Sequence, residues 1–229
     1  MVQVNPTKLF LRFKFKKVGS LQYISHLDLV RTMHKVIVRA DLPLWYTEGF
    51  NPKPKMIFAA PLSIGTESGC EFMDLRMNEY IDPAEAMARI NANMTDEMQI
   101  FEAYYPDTKF TDLKWMSYRI TVTPADLDDN TVSAVNEMLA SPSIEVQKKN
   151  SDSTTDIKPL IRSADAVRIG ESIVINATLS ADPSAFLNPE YIIKALREKC
   201  GLLSSQNLMR ESYEILRLNA YFGDMTEFR

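Results

Sequence analysis

Residues 9–16 alternate, with Leu9, Leu11, Phe13 and Phe15 on one side and Phe10, Arg12, Lys14 and Lys16 on the other. That two-residue period predicts a half-buried strand with one basic face. From Ser25 the period lengthens: Leu29, Met33, Val36, Ile37 and Ala40 share one side of a helix, Ser25 and Asp28 are spaced as a capping box, and Pro43 closes the element. Residues 55–62 and 71–77 read as strands joined by a turn around Gly65 and Gly69. Pro83 fits the first turn of a helix running to Asn93, and residues 98–105 return to a strand. The order is β-α-β-β-α-β.

The same order recurs. Residues 115–123 read as a strand, 130–140 as a helix, and 144–149, 157–168 and 172–179 as strands. A helix over 189–199 ends at Gly201, and 213–221 form a last strand. Two successive units of this kind predict an α+β fold of two tandem ferredoxin-like domains, 1–110 and 111–229, with the boundary near 107–113. The second has an extra strand in its middle hairpin, and the polar run 150–155 reads as a hairpin tip.

Charge changes the picture by dividing the chain. Residues 1–60 carry ten Lys and Arg against three acidic side chains, and the rest carry sixteen against twenty-seven. The expectation is a basic first domain and an acidic second one. No stretch has the roughly twenty apolar residues that span a bilayer, and the first residues lack the apolar core of a signal peptide, so a cytoplasmic protein is expected, with no membrane partner. Cys70 and Cys200 stand far apart, and His26 and His34 are the only histidines. Neither a cysteine-ligated cluster nor a histidine-rich metal site is expected, and no cofactor. The run 61–69 lacks the Gly-Lys-Ser/Thr ending of a phosphate-binding loop.

Candidate chemistry gathers in the basic segment. Arg31, Lys35 and Arg39 form a stripe opposite the helix's apolar face, and Arg12, Lys14, Lys16 and Lys17 on the preceding strand are expected to converge with it. Lys53 and Lys55 sit in the run Glu48-Gly49-Phe50-Asn51-Pro52-Lys53-Pro54-Lys55, where the prolines stiffen a loop that presents Asn51 and Phe50. Lysines and arginines on one surface attract polyanions, and nearby aromatic rings stack on unpaired bases. The same residues also fit a solvated helix face and a plain connection. Ser25 is an N-cap, and His26 stands in the first turn at an anion-attracting helix end, where it is expected to contact a phosphate.

Taken together, Lys16/Lys17-x-Gly19, Tyr23-Ile24-Ser25-His26-Leu27-Asp28 with Arg31, Arg39-Ala40-x-Leu42-Pro43, Glu48-Gly49-Phe50-Asn51-Pro52-x-Pro54-Lys55, Pro61-Leu62-x-x-Gly65 and Ser68-x-x-Glu71 resemble the radical SAM-linked protein family, a domain of unknown function. The likeness extends through Thr155-Asp156-Ile157-Lys158-Pro159-Leu160 and Leu187-Asn188-Pro189. It implies a partner, a cobalamin-binding radical SAM protein, and a role in RNA-related chemistry. This chain has no Cys-x-x-x-Cys-x-x-Cys triplet, so it is not expected to be the radical enzyme.

Three readings follow. The first is a non-catalytic accessory protein that holds RNA, a tRNA or rRNA segment, with Ser25, His26, Arg31, Lys35, Asn51, Lys53 and Lys55 as the binding residues. The second is a metal-independent endoribonuclease with His26 as its catalytic candidate. Such proteins carry a glycine-rich C-terminal loop, whereas Gly201 and Gly223 are the only glycines after Gly170 here. The third is a protein-docking module that touches no nucleic acid.

Overall fold

A computed structural model describes residues 9–148, 153–204 and 210–229. The chain divides into two compact units, Met1–Phe110 together with Arg229, and Thr111–Phe228.

In the first unit, β1 (Phe10–Lys17) leads through a 3-10 turn (Gly19–Tyr23) into α1 (His26–Arg39), followed by β2 (Met56–Phe58), β3 (Thr66–Arg76), α2 (Pro83–Asn91) and β4 (Ile100–Tyr104). The sheet order is β4-β1-β3-β2, with each neighbouring pair antiparallel. Leu11, Phe13 and Phe15 of β1 join Leu29, Met33, Val36 and Ile37 of α1, Met73 and Leu75 of β3, and Ala86 and Ile90 of α2 in one core. Each such side chain contributes roughly 1.5–3 kcal/mol when withdrawn from water. This pairing of helix and strand periods is the one legible in the sequence. The run 55–62 is strand only over Met56–Phe58, and Gly69, read as a turn residue, lies inside β3. There the register slips, since Phe15 faces Glu71 but Lys17 faces Ser68, and a side chain of hydrogen size suits such a bulge.

The second unit contains β5 (Trp115–Thr123), α3 (Asp129–Ala140), β6 (Glu145–Gln147), β7 (Thr154–Asp156), β8 (Ile161–Ile169), β9 (Ser172–Ser180), α4 (Glu190–Cys200) and β10 (Ser212–Tyr221). Its sheet runs β10-β5-β9-β8, again antiparallel, while β6 and β7 pair only with each other. The stretch 157–168 is therefore divided: Lys158–Leu160 forms a 3-10 turn around Pro159, and only then does β8 begin. Residues 149–152 of the expected hairpin tip lie outside the described residues. Gly201 ends α4 with φ +68°, the left-handed cap that glycine adopts most readily.

Charge does not follow the unit boundary as expected. Residues 1–110 hold thirteen basic and thirteen acidic side chains, because carboxylates crowd 61–110. The positive excess belongs to the first sixty residues rather than to a whole unit. Among the described residues no helix is long and apolar enough to cross a membrane, and no group of three or more metal-ligating side chains gathers. Cys70 is buried, while Cys200 is half-buried, and burial pushes its thiol up.

Candidate nucleic-acid interface

Of the basic side chains of β1, Arg12, Lys14 and Lys17 are buried and Lys16 is half-buried. Arg12 is fully buried and grips Asp74 with two parallel bonds, Nε to Oδ1 at 2.8 Å and Nη2 to Oδ2 at 2.9 Å. Its remaining donors reach Thr108, through Nη1 to Oγ1 at 2.9 Å and Nη2 to the carbonyl at 3.1 Å, and its guanidinium lies 4.4 Å from the Phe110 ring centre. Burial pushes the Asp74 carboxyl up against the opposing pull of Arg12. The buried ammonium of Lys14 lies 5.6 and 5.7 Å from the ring centres of Phe72 and Phe101. Lys17, also buried, donates from Nζ to the carbonyls of Leu21 at 3.0 Å and Gln22 at 3.4 Å, tying the 3-10 turn to β1. An alternating basic strand and a strand covered on both faces read alike in sequence, because burial of the polar face depends on residues far along the chain.

Ser25 and His26 sit where the helix begins, and the hydroxyl of Ser25 is engaged as its cap. The Ser25 Oγ accepts from the Asp28 amide at 3.1 Å, and its hydroxyl donates to Asp28 Oδ2 at 2.7 Å. That hydroxyl bond is the main cause holding the Asp28 carboxyl below its usual range, and Arg31 adds to it from 3.2 Å. His26 is exposed and meets Phe58 edge-on at 5.5 Å between ring centres. Lys17, Ile24, Ser25, His26, Leu29 and Leu62 line a narrow crevice here. Two more carboxylates hold the adjoining turn. Glu67 accepts from the Gly19 amide at 2.7 Å, and Glu97 accepts from the Ser20 amide at 3.2 Å and from its hydroxyl at 2.6 Å. Gly19 has φ +62°, and a Cβ there would run into the Glu97 carboxylate.

The second group of expected residues lies at the other end of the unit. Residues 44–55 form a small hairpin rather than an open loop. Tyr46 pairs with Pro54, the Thr47 amide donates to the Lys53 carbonyl at 2.8 Å, and the Lys53 amide donates to Thr47 Oγ1 at 3.0 Å. Its base is bonded to the end of β3: Trp45 N–H to Arg76 O at 2.9 Å, Arg76 N–H to Lys55 O at 3.0 Å, and Lys55 N–H to Trp45 O at 3.2 Å. The Arg76 guanidinium lies 4.0 Å from the Trp45 ring centre, and Asn78 Nδ2 donates to the Leu44 carbonyl at 2.9 Å. Gly49, at φ +126°, makes the tip possible. Glu48, Phe50, Asn51, Pro52, Lys53 and Lys55 are exposed, and so is Tyr46.

Ser25 and the hairpin lie toward opposite ends of β3, and His26 packs on Phe58, which pairs with Met73 between them and is three residues from Lys55. Lys17, beside Ser25 and His26, pairs with Ser68, whereas the hairpin bonds to Arg76 at the far end of the same strand. Eight steps of about 3.3 Å put roughly 25 Å between the levels of Lys17 and Arg76 along β3. Arg31, Lys35 and Arg39 are exposed along α1; the last two lie toward the hairpin end, since α1 runs directly into it through Ala40 and Pro43. Lys35, Arg39, Lys53 and Lys55 are exposed, with Asn51 at the hairpin tip. A recess of about 400 Å³ that includes Asp41, Glu79, Asp82 and Glu85 bounds these residues on the α2 side.

Sequence reasoning missed Tyr46 and the bracing by Trp45 and Arg76. The run Leu44-Trp45-Tyr46-Thr47 has strand-forming character and precedes Glu-Gly, which is a hairpin signal. Pro52 and Pro54 masked it, because proline in a run argues against a strand except at an edge.

Comparison with solved structures finds a chain of a Cbf5-Nop10-Gar1 complex, 11% identical, aligned over 95% of this chain and 50% of that one with a TM-score of 0.51. A chain of an H/ACA RNP bound to a substrate RNA containing 2'-deoxyuridine is 12% identical, over 99% and 56%, with a TM-score of 0.47. This chain therefore spans about half the length of the solved chains it matches, and at such identity the first likeness is one of fold, mixed α and β. No curated protein matches the sequence. The family model for "Uncharacterized protein conserved in bacteria (DUF2344)" matches residues 11–189, and the chain belongs to that family.

Proposed function

We propose that this protein is a non-catalytic RNA-binding accessory whose contact surface is the hairpin end of the first unit. The observation that carries the reading is the gathering there of exposed lysines, Lys53 and Lys55, and exposed rings, Tyr46 and Phe50, on one braced hairpin beside Lys35 and Arg39 of α1. Lysine and arginine bind phosphates by releasing counterions, and rings add stacking that tolerates any base. Asn51 at the tip offers both a donor and an acceptor to a base edge. Ser25 is used as the cap of α1, and His26 packs on Phe58 in its first turn. No acid or base partner stands with His26 among its contacts described above, which leaves the endoribonuclease reading without a second catalytic group.

We read both units as ferredoxin-like; their sheet orders, β4-β1-β3-β2 and β10-β5-β9-β8, support this once β6 and β7 are set aside as an inserted hairpin. A cobalamin-binding radical SAM protein as the partner served rests on the resemblance of motifs alone. Fluorescence anisotropy with tRNA and rRNA fragments at several salt concentrations tests the function. Binding that weakens steeply with salt supports it, and no binding at low salt refutes it.

A further inference from the structure

Phe50 is the most exposed large apolar side chain of the described residues, at 112% of its reference area. It adds nothing to the core of its own unit, yet it is carried at the tip of a hydrogen-bonded stem. The stem is hydrogen-bonded from Trp45 to Thr47 and from Lys53 to Lys55, Arg76 covers Trp45, and Pro52 and Pro54 restrict the backbone just past the tip. A ring carried on a braced tip loses little freedom when it is covered, so it is preorganised for contact.

From this we propose that Phe50 is a stacking post for an unpaired base, so that the RNA held by this surface is single-stranded at the point of contact, in a loop, a bulge or an end. The inference rests on the RNA-binding reading above and names the substrate class for it. Three features favour a base over a protein pocket. Lys53 and Lys55 follow the tip on the same hairpin and remain exposed, placed to take the phosphates that flank a stacked base. Tyr46, exposed on the opposite arm, supplies a second ring. Apolar residues next to Phe50 are few: its neighbours are Glu48, Gly49, Asn51 and Pro52, whereas a protein hot spot needs a rim that excludes water. A duplex is a poor ligand, because its bases hide their faces and its deep groove is closed to side chains.

The test compares a labelled RNA strand of about ten nucleotides, within the site size of single-strand binders, with the same strand annealed to its complement. The full chain and its Phe50→Ala, Phe50→Leu and Phe50→Tyr variants are measured over a series of low salt concentrations. The expected result is a preference for the single strand that falls about ten-fold in Phe50→Ala and in Phe50→Leu and is retained in Phe50→Tyr, since stacking is lost with the ring rather than with apolar volume. The salt slope stays unchanged, because no charge is altered. Binding of the single strand that is equal in wild type and Phe50→Ala overturns the stacking role while leaving the RNA surface standing. Failure of wild type to bind either probe overturns the underlying reading as well. The exposed position of Phe50 keeps the variants folded, which circular dichroism verifies.

Discussion

The two ends of the first unit use the same residue types in opposite ways. At the start of α1, Ser25, Asp28, Glu67, Glu97 and the Lys17 ammonium satisfy one another's neighbours and hold a turn closed. At the hairpin end, Lys53, Lys55, Asn51 and Phe50 face solvent on a stem that is itself fully bonded. The difference teaches that a dense polar motif marks a structural device when its groups are used up internally, and a binding surface when the scaffold is satisfied and the tips are left over.

The largest effect that separates the two is at Arg12. Replacing it by Met strands the buried Asp74 carboxyl, and urea unfolding is expected to show a loss of about 3–5 kcal/mol. A loss under 1 kcal/mol would return Arg12 to the pool of surface charges. Next comes Gly19→Ala, which forces a non-glycine residue to φ +62° against the Glu97 side chain; about 1–3 kcal/mol is expected. Ser25→Ala removes the cap of α1 at a cost of about 1 kcal/mol, and RNA affinity is expected to stay at the wild-type level. A drop in affinity with no change in stability would move the binding site to the helix start and break the comparison.

The smallest effect concerns acid. Hydrogen bonds from the Ser20 hydroxyl, and then from its amide, hold the Glu97 carboxyl below its ordinary value. Its contribution is complete above the unfolded value of about 4.3 and fades as pH falls through the lower folded value. Amide exchange at Ser20 is expected to quicken in that range before exchange at Thr47 does. Equal acceleration at both would show that the turn is not held by Glu97.

Much of this fold was readable because the core residues obey a single period within each element: Leu11, Phe13 and Phe15 at two, Leu29, Met33, Val36 and Ile37 at helical spacing. The cap of α1 was readable for the same local reason, Ser25 and Asp28 being three apart. What escaped depends on distant partners. Nothing near Arg12 in sequence says that Asp74 and Thr108 will enclose it, so a buried clasp looked like a basic surface. Nothing near Lys17 says that the hairpin will be bonded eight residues further along β3, because separation along that strand is fixed by register. The hairpin itself was concealed by its two prolines, which read as loop until Arg76 supplies the bonds that hold its base.

The most direct test of the binding surface is the salt dependence of single-stranded RNA affinity for wild type and for Lys53→Glu/Lys55→Glu. If the hairpin lysines each neutralise one phosphate, the slope of log K against log salt becomes shallower by about 1.4, near 0.7 per phosphate on a single strand, while urea unfolding is unchanged. An unaltered slope and affinity in the double variant would contradict the account.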